Sequence, residues 1–142
     1  QGRQGCDNQD CLGSPAYSNV FCYYYEYMET LLKTSSAKAK GRRFQQWVRD
    51  QLIETLSVHP EDVESRSMGA GGEDLIMARA AREKFPYSIE CKNQESLNVW
   101  KSYEQAEANS GEYEPVVFIK RNNQKPLVVV DAEYFIKIHT DV

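Results

Sequence analysis

Gly69-Ala70-Gly71-Gly72-Glu73-Asp74-Leu75-Ile76-Met77 and Tyr87-Ser88-Ile89-Glu90-Cys91-Lys92 decide the reading of this chain. A glycine-rich turn leads into a carboxylate and an apolar run. A Glu-x-Lys triplet then closes the next apolar run. Both runs read as strands. Side chains in a strand alternate faces, so Glu90 and Lys92 share one face while Ile89 and Cys91 share the other. The polar pair then borders a cleft and the apolar pair enters the core. If the strand at Asp74 pairs beside it, Asp74 and Glu90 can hold one divalent cation. Carboxylates are hard oxygen donors suited to Mg²⁺ or Mn²⁺. Two of them plus the Cys91 backbone carbonyl are enough for an ion that keeps several waters.

Outward from these strands, turn and cap residues mark the other elements. Ser14-Pro15 starts a helix over 15–33, with Ser as N-cap and Pro at the first helical position. An apolar, strongly aromatic stripe (Tyr17, Val20, Phe21, Tyr24, Tyr25, Met28, Leu31, Leu32) runs along it and either packs on the domain or meets a second subunit. Thr34-Ser35-Ser36 interrupts the pattern. A second helix runs over 37–56, with Phe44, Trp47, Val48, Leu52, Ile53 and Leu56 as its apolar face. Strands follow at 63–68, 73–77 and 87–92, with a short helix or helical turn at 78–84. Residues 99–110 read as a helix closed by Gly111, with Trp100 and Tyr103 in the core. Runs 116–120 and 127–130 flank Arg121-Asn122-Asn123-Gln124-Lys125 as a hairpin or neighbouring strands. Asp131 caps a last helix reaching Ile138. The fold class is a mixed α/β domain around one sheet.

The bulk numbers exclude some classes. At 142 residues, with 41% hydrophobic and 27% charged residues, the chain has an ordinary globular composition. No apolar run reaches the length of a membrane span, so no membrane partner is expected. No secretory signal is visible, so the expected compartment is a reducing cytoplasm. Net charge is −4, but Lys33, Lys38, Lys40, Arg42, Arg43 and Arg49 cluster with no acid between them. Such a patch can meet phosphates on an otherwise acidic protein, though a solvated helix start looks the same. Cys6, Cys11 and Cys22 are one ligand short of a closed Zn²⁺ site, so incidental thiols on a helix are the preferred reading. Two histidines rule against a histidine-based mechanism.

The Lys40–Val48 helix, Ser65–Asp74, Ile89-Glu90-Cys91-Lys92-Asn93 and the helix with Glu104-Gln105-Ala106 together resemble the PD-(D/E)XK nuclease superfamily. The nearest branch is the Holliday-junction-resolvase-like and phage endonucleases. The resemblance covers about residues 38 to 138. It implies a restriction-endonuclease-like central sheet flanked by helices (35–142), with an N-terminal helical extension (1–34). It implies an Mg²⁺- or Mn²⁺-dependent endonuclease acting on branched or structured DNA, a homodimer, and a bacterial or phage origin. Asp74 and Glu90 would be metal ligands and Lys92 the catalytic lysine, with Gln105 supporting the site. Lys38, Lys40, Arg42, Arg43, Arg66 and Asn93 would contact DNA.

One position departs from that family. Its resolvases carry a glutamate in the first family helix, where this chain has Gln45 and Gln46. Either a glutamine reaches the metal through water or the site is built without that ligand. Glu64 and Glu73 are spare acids, and strand alternation turns Glu73 away from Asp74. The competing reading is a non-catalytic DNA-binding module on the same fold. A protein-interaction domain using the aromatic helix is a third.

Overall fold

The computed structural model describes residues 18–140. The chain divides into two units at Ser36/Ala37, each taken by itself below. Helix α1 (Ser18–Leu56) contributes to both. After it come β1 (Val63–Ser65), β2 (Leu75–Met77), α2 (Arg79–Lys84), β3 (Tyr87–Asn93), α3 (Val99–Asn109), β4 (Glu114–Lys120), β5 (Leu127–Val129) and α4 (Ala132–Lys137). The class is mixed α/β.

The break expected at Thr34-Ser35-Ser36 does not form. Thr30 Oγ1 donates to Glu26 O and Thr34 Oγ1 to Thr30 O, both at 2.8 Å. Each hydroxyl bonds back to the carbonyl four residues earlier, so it is satisfied inside the helix instead of ending it. Tyr25, Tyr27, Leu31 and Leu32 are exposed. Tyr17 lies outside the described residues, as do the side chains of Phe21 and Tyr24.

In residues 37–142 the expected single sheet is two small ones. β1 and β2 form an antiparallel pair, and β3-β4-β5 form a mixed sheet with β3 and β4 parallel and β4 and β5 antiparallel. β2 does not continue into β3 because the residue before it takes over. Asp74 N donates to Ile89 O at 2.8 Å. The Asp74 carboxylate, not a backbone carbonyl, then accepts the Cys91 N–H at 2.7 Å. Further back, Arg82 Nη1 donates to Tyr87 O at 2.9 Å. The free edge of β3 is thus covered by the Asp74 main chain and by the Asp74 and Arg82 side chains, which protects it from pairing with another strand.

The core joins α1 to both sheets. Phe44, Val48 and Leu52 meet Val63, Leu75, Met77, Ile89 and Val116, all buried. Removing each such side chain from water is worth about 1.5–3 kcal/mol. Trp47, expected on this face, is 43% exposed, so it sits at the rim. Its ring stacks on Phe44 at 6.0 Å between centroids and 16° between planes.

The crossover β3-α3-β4 supplies the parallel pair. Asn98 caps α3, its Oδ1 accepting from Lys101 N at 3.0 Å. α3 buries Ser102 and Ala106. Trp100, expected in the core, is 80% exposed, because Ser102 and Ala106 define the buried face of α3 and Trp100 lies off it. At the chain's end Asp131 caps α4, accepting from Tyr134 N at 2.8 Å.

Candidate metal and lysine site

The glycine-rich turn is a clamp built on Asp74. Gly69 and Gly72 have φ of +87° and +97°, a region open to glycine and strained for other residues. Arg66 lies across the turn: its Nε donates to Glu73 O at 2.7 Å, and its guanidinium lies where a Cβ on Gly72 would come within 3.3 Å. Asp74 O accepts from Arg66 N at 2.8 Å and from Gln45 Nε2 at 2.6 Å. Gln45 Nε2 also donates to Arg66 O at 2.8 Å. Both lone pairs of the Asp74 carbonyl are therefore used, and Gln45, 2% exposed, ties the first helix to the turn.

β3 presents Glu90 and Lys92 on one face, as alternation requires. Lys92 Nζ lies 2.9 Å from Glu90 Oε1. From α3, Gln105 Nε2 donates to the same Oε1 at 2.9 Å, and its Oε1 accepts from Lys92 Nζ at 3.0 Å. The three side chains close a triangle that fixes the lysine. Asp74, Glu90, Lys92 and Gln105 line one cavity of about 290 Å³, with the glycine turn and Gln45 on its other wall. The four residues expected at the site therefore meet in one place.

The electrostatics are those of two acids forced together. Burial pushes the Asp74 carboxyl up, against the pull of the Cys91 N–H and the Lys92 and Arg66 charges. Burial and the neighbouring Asp74 charge push Glu90 up, against Lys92. Glu90 Oε2 is buried with no hydrogen-bond partner among the described residues. Burial and the two carboxylates push the Cys91 thiol well up, so it stays protonated near neutral pH. Its backbone is the useful part. N–H and C=O of one residue leave a strand on the same side. The Cys91 carbonyl therefore leaves β3 on the Asp74 side.

These donors fit a hard divalent cation: two carboxylates, one with an unpartnered oxygen, beside a strand-edge carbonyl. Among the described residues no third acid, cysteine or histidine joins them. Glu73 is held in an ion pair with Arg82, and Glu64 is exposed on β1. Gln45 directs its amide nitrogen at the Arg66 and Asp74 backbone carbonyls.

The residues expected to meet DNA are distributed differently. Lys38, Arg42 and Arg43 are exposed on α1. Lys40 is paired with Glu95 at 3.1 Å, and Arg66 is folded into the turn. Asn93 turns to the opposite face from Lys92 and lines a second cavity of about 440 Å³ with Arg43, Trp47 and Lys120. Spacing along α1 brings Arg43 and Trp47 together, but only the parallel pairing of β3 and β4 adds Lys120. Cys6 and Cys11 lie outside the described residues, as does the side chain of Cys22. Among the described residues no helix is long and apolar enough to cross a membrane.

No family model matches the chain, and neither does any curated protein or solved structure.

Proposed function

We propose that this chain is a metal-dependent endodeoxyribonuclease, with a restriction-endonuclease-like arrangement of its sheet and a homodimeric assembly as parts of that reading. The observation that carries it is the convergence of Asp74, Glu90, Lys92 and Gln105 in one cavity, with Glu90 Oε2 buried and unpartnered. Asp74 and Glu90 would hold Mg²⁺ or Mn²⁺, with the Cys91 carbonyl beside them. Such a cation neutralises phosphate charge and acidifies water. Lys92, held by Glu90 and Gln105, stands where it can orient the attacking water or meet charge developing on the phosphate. Gln105 positions the lysine. The Arg66 and Gln45 bonds to the Asp74 carbonyl hold that carboxylate in place before substrate arrives. Exposed Lys38, Arg42 and Arg43 supply charge for the DNA backbone.

The test is cleavage of plasmid, flapped and four-way DNA with Mg²⁺ or Mn²⁺ by the wild type and by Asp74→Ala, Glu90→Ala and Lys92→Ala. Loss of cleavage in all three supports the reading, and undiminished cleavage ends it. A non-catalytic DNA-binding module is the second reading, favoured by Gln45 standing where the resolvases carry an acid. It requires DNA binding without cleavage and without a carboxylate-dependent Mn²⁺ site.

A further inference from the structure

The cavity on the far side of β3 has a composition of its own. Trp47, Arg43 and Lys40 lie four and seven residues apart in sequence, on one face of α1. Asn93 and Lys120 are direct partners in the parallel register of β3 and β4. All five line the same cavity. Trp47 is 43% exposed and backed by the Phe44 ring, so it is a supported aromatic platform. Asn93 Oδ1 is buried in this wall with no hydrogen-bond partner among the described residues. Lys40 is neutralised by Glu95, whose Oε1 also accepts from Asn122 N at 2.6 Å. That link braces the cavity mouth. Among the described residues Arg43 and Lys120 make no ion pair.

An aromatic face, two uncompensated cations and a buried unpaired acceptor match one ligand chemistry: an unstacked nucleotide. A base stacks on an indole whatever its sequence, and cations hold the flanking phosphates. A buried acceptor favours a base that offers an amino group. We infer that the cavity of Trp47, Arg43, Asn93 and Lys120 is a binding subsite for a single unpaired deoxynucleotide, next to the proposed cleavage cavity. It rests on the nuclease reading for its place in a reaction, and it makes the substrate DNA with an unpaired nucleotide beside the cut. Lys92 and Asn93 are consecutive, so one strand end serves both cavities from opposite faces.

The experiment uses the full chain carrying Trp100→Phe, which leaves Trp47 as the sole indole. Its fluorescence is titrated with a short single-stranded oligodeoxynucleotide in EDTA, where no cleavage can occur. Saturable quenching is expected, with blunt duplex giving much less. Read by the anisotropy of a dye-labelled oligonucleotide, Trp47→Ala should weaken single-strand binding about ten-fold, from the usual strength of base stacking, and Trp47→Phe should recover part of it. Duplex affinity should change little. Unchanged Trp47 emission, or equal single-strand affinity in Trp47→Ala, overturns the subsite. Tighter binding of the matching ribo-oligonucleotide overturns the assignment to DNA. Cleavage with Mg²⁺ is measured separately. Quenching without cleavage keeps the subsite and removes the nuclease reading, whereas cleavage without quenching does the reverse.

Discussion

The Gln45 side-chain amide donates to the Asp74 backbone carbonyl at 2.6 Å, so a buried residue of α1 holds Asp74 through its main chain. Gln45→Ala leaves the half-buried Arg66 carbonyl without that donor and should cost about 1 kcal/mol. Gln45→Glu should cost at least as much without metal, because a carboxylate would face two carbonyl oxygens. Urea unfolding measures both. Losses under 0.5 kcal/mol would refute the clamp.

The raised Asp74 and Glu90 carboxyls make a signed prediction about pH. A folded-state pKa above the unfolded value gives stability that is complete below the unfolded pKa, about 4 for a carboxyl, and lost as pH rises through the folded one. These two groups therefore destabilise the metal-free protein at neutral pH. Asp74→Asn and Glu90→Gln should raise its Tm there, with a smaller difference at pH 4. Mn²⁺ should raise the wild-type Tm and leave both variants unmoved. If either variant melts lower than the wild type at neutral pH in EDTA, the account of repelling, desolvated acids is wrong.

Lys92→Ala removes the cation 2.9 Å from Glu90 and leaves that carboxylate buried with Gln105 alone. Its carboxyl should rise further, so the loss of stability should grow between pH 4 and pH 8. Cleavage should fall by about 100-fold or more, as for loss of a positioned proton-handling group. A pH-independent loss of stability would show that the pair contributes nothing electrostatic.

Asn98→Ala tests α3 as the support of Gln105. Losing this N-cap should cost about 1 kcal/mol. Since Gln105 touches both Glu90 and Lys92, the variant should also lower kcat with little change in KM. Unchanged turnover would mean that the triangle holds without its helix cap.

Much of this was legible in the residues. Strand composition and alternation at 87–92 give the opposed faces of Glu90 and Cys91, and Asp131 predicts the α4 cap that the structure contains. Other features depend on tertiary partners. Thr34-Ser35-Ser36 has the composition of a break, yet the Thr34 hydroxyl bonds back into the helix instead. Trp100 looks like core by residue type, but α3 buries Ser102 and Ala106 instead. Asp74 reads as a strand residue, and its use of a side chain in place of a ladder bond appears only once Cys91 is opposite. The cavity at Trp47 needs Lys120, which lies 73 positions from it in sequence.

The seven-residue parallel register from Tyr87↔Glu114 to Asn93↔Lys120 has one more consequence. A slip of one position would turn Lys92 toward Trp47 and Asn93 toward Gln105, swapping the charge and the amide between the two chambers. No single substitution at either residue reverses such an exchange. An insertion or deletion inside β3 should therefore abolish the proposed cleavage and the proposed nucleotide binding together, even where the chain still folds. The strand behaves as a two-sided key, and its alignment matters as much as its composition.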